Sequence, residues 1–61
     1  MQIKIQFPSD NYEEVIVNDV VTFETEFGDS NTICVWGGKG GYQEFEGIGA
    51  TVTQATEDGV Q

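Results

Sequence analysis

The run Met1-Gln2-Ile3-Lys4-Ile5-Gln6-Phe7-Pro8 decides the fold class. Ile3, Ile5 and Phe7 alternate with Gln2, Lys4 and Gln6, the period of two that belongs to a strand with one buried face, and Pro8 closes it. The stretch also lacks the long apolar core of a signal peptide or a membrane span.

Working outward, Ser9 to Tyr12 reads as a turn. Asp10 and Glu13 have capping-box spacing, which allows one short helical turn near residues 10-16, but the β-branched run Val15-Ile16-Val17 opposes it. Asn18-Asp19 separates Glu14-Val15-Ile16-Val17 from Val20-Val21-Thr22-Phe23 and suits a tight hairpin. That hairpin would set Val17 opposite Val20, Ile16 opposite Val21 and Glu13 opposite Glu24. Ile16, Val21, Phe23 and Phe27 would then face a core, while Glu13, Glu24 and Glu26 gather on the other side.

Phe27 to Asn31 is turn chemistry, and Thr32-Ile33-Cys34-Val35-Trp36 follows as a strand. The loop Gly37-Gly38-Lys39-Gly40-Gly41 leads into Tyr42-Gln43-Glu44-Phe45-Glu46. Direct pairing sets Trp36 opposite Tyr42 and Ile33 opposite Phe45. It puts Trp36, Tyr42, Glu44 and Glu46 on one face and Ile33, Val35 and Phe45 on the other. Gly47-Ile48-Gly49 permits a bend before a last strand, Ala50 to Gln54, and Asp58-Gly59 is a turn signal near the end. The expectation is an all-β fold: a small antiparallel sheet of about five strands, curled on itself or closed as an SH3-like barrel. Its expected core is Ile3, Ile5, Phe7, Val21, Phe23, Ile33, Val35, Phe45 and Val52.

Composition bounds the function. The 61 residues suit one small domain, 1-61, whose core supplies only a few kcal/mol of net stability. Eleven carboxylates stand against two lysines, with no arginine or histidine, for a formal charge of −9. A field of that sign repels nucleic acid and anionic membranes and attracts cationic surfaces. Cys34 is the sole cysteine, so neither an internal disulfide nor a cysteine zinc site is expected, and a cytoplasmic monomer fits best.

Catalytic inventory is missing. There is no histidine base, no arginine clamp and no cationic activator beside Cys34 in the sequence. The glycine loop lacks the Gly-Lys-Ser/Thr ending and the following helix of a phosphate loop. Asp10, Asn11, Glu13 and Glu14 lack the glycine and distal glutamate of a calcium loop. The reading is therefore no enzyme, no catalytic residue, no metal and no cofactor.

What remains is the placing of carboxylates. Glu24 and Glu26, and separately Glu44 and Glu46, are spaced two apart on strands, so each pair points one way at about 6.8 Å, twice the strand rise. Any one pair could be an ordinary solvated face. Trp36 and Tyr42 at the mouth of the glycine loop add the residue types that anchor interfaces, or else a pair that merely packs on itself. The candidate partner-binding residues are Glu24, Glu26, Trp36, Tyr42, Glu44 and Glu46.

In size and acidity the whole chain resembles the small phage-encoded inhibitors of bacterial defence, the anti-CRISPR and anti-restriction proteins that act as DNA mimics. Those inhibitors share no motif, so no residue role carries over. The resemblance implies a non-enzymatic inhibitor in the bacterial cytoplasm that covers the basic DNA-binding surface of an effector such as a CRISPR complex. The alternative is a small SH3-like interaction or structural module whose acidity serves solubility. Binding that weakens with salt and yields to DNA separates the first from the second.

Overall fold

The computed structural model describes residues 1–55. Six strands follow one another: β1 (Gln2–Phe7), β2 (Glu13–Val17), β3 (Val20–Glu26), β4 (Asn31–Gly37), β5 (Tyr42–Gly47) and β6 (Thr51–Ala55). They form two antiparallel three-stranded sheets, ordered β2-β1-β6 and β3-β4-β5. The fold is all-β and curled as expected, but the described strands do not close into a barrel. The turn signal at Asp58-Gly59 lies outside the described residues.

The helical turn forms earlier than the expected 10-16. It is a 3-10 turn at Pro8–Asp10, where proline supplies the right φ at the first position, and Glu13–Val17 is strand. Asn11 and Tyr12, with φ of 59° and 57°, reverse the chain from β1 into β2. Strand β2 then pairs with β1, with Ile3 opposite Val17 and Ile5 opposite Val15.

Asn18-Asp19 is a corner and not a hairpin. Strands β2 and β3 lie in different sheets and do not pair, so the expected Val17–Val20 and Ile16–Val21 registers are absent. Glu13 is opposite Phe7, and Glu24 is opposite Cys34. The corner works because Asp19 takes a left-handed φ of 62°, which aspartate tolerates, and Val20 on the far side exchanges backbone hydrogen bonds of 2.8 Å with Met1. A two-residue separation between β-branched runs fits a hairpin and a corner alike. The available partners decide: β1 takes the first run and β4 the second.

A β-bulge between Val20 and Thr22 also changes the phase of β3. Val20 is buried, Val21 is pushed outward at 75% exposure, and Phe23 returns toward the core. The expected inward set therefore fails at Ile16, Val21 and Phe27, which are all exposed. The core consists of Ile3, Ile5, Val17, Val20, Ile33, Val35 and Ala50, with Phe7, Val15, Phe23, Phe45 and Val52 packed against it. Val17, Val20 and Ala50 take the place that Val21 was expected to fill.

Two links join the sheets at the end opposite the corner. Asn31 Nδ2 donates to the Ala50 carbonyl at 2.8 Å. The Phe7 ring lies over Gly47, where an added Cβ would come within 2.8 Å of it. No helix among the described residues is long and apolar enough to cross a membrane.

Candidate functional site

The hairpin of β4 and β5 has the register read from the sequence, with Trp36 opposite Tyr42 and Ile33 opposite Phe45. Strand β3 pairs on the other side of β4, with Thr22 opposite Trp36, Glu24 opposite Cys34 and Glu26 opposite Thr32. Since Cys34 is also opposite Glu44 and Thr32 opposite Glu46, the outward face of this sheet is a grid of three rows. The rows are Thr22-Trp36-Tyr42, Glu24-Cys34-Glu44 and Glu26-Thr32-Glu46. All six candidate residues lie on it together.

The sequence had shown the two glutamate pairs separately, without placing β3 beside β4. Pairing through a neutral middle strand explains how the face holds so much charge. Carboxylates directly opposite one another would destabilise the sheet, whereas Cys34 and Thr32 keep the Glu24/Glu26 pair of β3 two strands, or about 9.6 Å, from the Glu44/Glu46 pair of β5. Along each strand the spacing is about 6.8 Å. Glu24, Glu26, Glu44 and Glu46 are all exposed.

Glu44 and Glu46 are held in place. Glu44 Oε2 accepts a hydrogen bond from the Tyr42 hydroxyl at 2.7 Å, and the Cys34 thiol stands 4.0 Å from the same oxygen. Glu46 Oε2 accepts from Ser30 Oγ at 2.9 Å. The bond to Glu44 raises the Tyr42 phenol well above its ordinary range, because a phenolate would lose that bond and face a carboxylate; the Cys34 thiol adds in the same direction. Tyr42 therefore stays a neutral donor. The residue that sequence reasoning missed is Cys34, whose place between Glu24 and Glu44 depends on the β3–β4 register.

Trp36 and Tyr42 pack in a tilted arrangement, ring centroids 5.2 Å apart at 50°, and they remain 37% and 44% exposed. Packing on each other thus does not remove them from contact with a partner. The other sheet has a different character. Its outward face presents Gln2, Lys4 and Gln6 of β1 beside Glu14 and Ile16 of β2 and Thr51 and Thr53 of β6. Lys4 Nζ lies 4.0 Å from Glu14 Oε2, and Gln6 Nε2 donates to the same oxygen at 2.7 Å. Among the described residues, one charge of each sign leaves that face neutral.

Among the described residues no group of three or more metal-ligating side chains converges. Comparison with known proteins finds no matching protein family, curated protein or solved structure.

Proposed function

We propose that the chain is a non-enzymatic inhibitor whose acidic sheet face occupies the nucleic-acid-binding surface of a basic protein. A single observation carries this reading: among the described residues, four glutamates sit on the outward face of one sheet, which has no cation, while the outward face of the other is neutral. Carboxylates serving solubility alone have no reason to segregate, since repulsion favours spreading them. The β3 and β5 glutamate pairs, about 9.6 Å apart, have a separation between the widths of the minor and major grooves, about 6 Å and 12 Å. An arginine placed above Cys34 would reach a carboxylate on either side and bond both.

The partner fitting this chemistry is a basic DNA-binding protein, with a bacterial defence effector such as a CRISPR complex as the proposed class and the host bacterial cytoplasm as the proposed setting. The second reading, an SH3-like interaction module, draws on the exposed Trp36–Tyr42 pair.

Affinity capture from bacterial lysate over a salt series, with duplex DNA as competitor, tests the proposal. The expected result is a captured basic protein whose binding constant falls steeply with salt, is displaced by DNA, and is lost on Glu24→Lys/Glu26→Lys but kept on Glu14→Gln. Binding that ignores salt and DNA but is lost on Trp36→Ala would replace mimicry with the adaptor reading.

A further inference from the structure

We propose that the open seam between β2 and β5 takes up an extended basic peptide segment as a fourth strand of the β3-β4-β5 sheet. Strand β2 is an edge of one sheet and β5 an edge of the other. Both line one groove of about 400 Å³, with Val15, Val17, Gln43 and Phe45 among its walls. That volume lies within the ~300–1,000 Å³ usual for ligand clefts.

Two features define what fits. An edge strand carries a row of backbone N–H and C=O groups that an added strand can bond, and β5, at six residues, offers about 20 Å of it. Inward positions of the added strand would meet Val15, Val17 and Phe45, so they should be apolar. Its outward positions would stand beside Tyr42, Glu44 and Glu46, so they should be cationic. At the loop end the groove holds Lys39 and Asp19, one charge of each sign, so the preference for cations comes from the outward carboxylates. The occupant is therefore a strand alternating apolar and Lys or Arg residues.

A second copy of this chain fits poorly, because pairing β5 with its own copy would bring Glu44 and Glu46 against like charges. The inference rests on the partner being basic, and it adds main-chain pairing to the proposed contact.

The probe is an acetylated, amidated heptapeptide alternating Lys and Ile. Binding is followed by fluorescence titration and by amide shifts and hydrogen exchange across the protein. Amides of Gln43 to Glu46 should shift, and the alternate ones that point away from β4 should gain protection. An alternating Glu and Ile peptide should bind at least tenfold more weakly, as should one of two isomers N-methylated on alternate residues. Gln43→Lys, a change at an exposed groove position, should weaken the basic peptide about tenfold with the fold retained.

Equal binding of both N-methyl isomers and the parent would overturn strand addition. Equal binding of the acidic peptide would overturn the charge assignment. Protection confined to β3 would move the contact, and self-association protecting the same amides would make a second copy the occupant. A peptide that does not bind, while Glu24→Lys/Glu26→Lys still abolishes capture of the partner, removes the seam and leaves the acidic face standing.

Discussion

Replacing Gly37 by alanine should cost far more than replacing Gly40, although both have similar backbone conformations. Their φ angles are +108° and +92°, so an L side chain meets a comparable left-handed penalty at each, about 1–2 kcal/mol. Around Gly40 an added Cβ finds nothing within 4 Å, and that penalty is the whole cost. At Gly37 the Cβ would lie 2.5 Å from the Val21 nitrogen and 2.9 Å from the Asp19 carbonyl oxygen, both backbone atoms that cannot rotate away. Relief requires β3 to move off β4 where Val20 pairs with Gly37. Two weakened backbone hydrogen bonds at about 1 kcal/mol each bring the total to roughly 3–4 kcal/mol. A chain this short has about 3–9 kcal/mol in all. Thermal and urea unfolding followed by circular dichroism should show Gly40→Ala melting about 8–16 °C below the wild type and Gly37→Ala about 24–32 °C below. Trp36 fluorescence should report the loss, since Trp36 precedes Gly37 on β4. Equal destabilisation within about 0.5 kcal/mol would refute the close approach of Gly37 to the Asp19–Val21 backbone.

Three further outcomes follow from the same geometry. Ile33→Ala removes a fully buried side chain and should cost about 2–5 kcal/mol, whereas Val21→Ala, at 75% exposure, should stay within about 0.5 kcal/mol; a chemical denaturation series on both checks the inverted phase of β3. Tyr42 holds its proton more tightly in the folded chain, so this stabilisation is full below the ordinary tyrosine range near 10 and is lost as pH rises from there through the raised folded value. Ultraviolet titration should show one tyrosine ionising late in the wild type and near the ordinary range in Glu44→Gln. Finally, Glu24→Gln/Glu44→Gln should raise the melting temperature at low salt by relieving repulsion on the grid, and the gain should vanish at high salt. A gain that persists at high salt would have another cause.

The sequence by itself determined what depends on neighbouring residues along the chain. Alternation in Gln2–Phe7 specified β1 and its buried Ile3 and Ile5. The five-residue loop from Gly37 to Gly41 specified the β4–β5 hairpin, its register, and the face that Trp36 shares with Tyr42, Glu44 and Glu46. Both rest on local geometry, because strand phase has a period of two and a short loop leaves one register. Only the tertiary structure decided what Asn18-Asp19 does, since a hairpin and a corner place the same turn residues between the same β-branched runs. The choice lay with distant strands: β1 took Val17, β4 took Val20 and Phe23, and the bulge turned Val21 outward. The acidic grid depends on that choice. Glu24 and Glu26 come beside Cys34 and Thr32, and so into line with Glu44 and Glu46, through backbone pairing between β3 and β4 that no local pattern in either strand encodes.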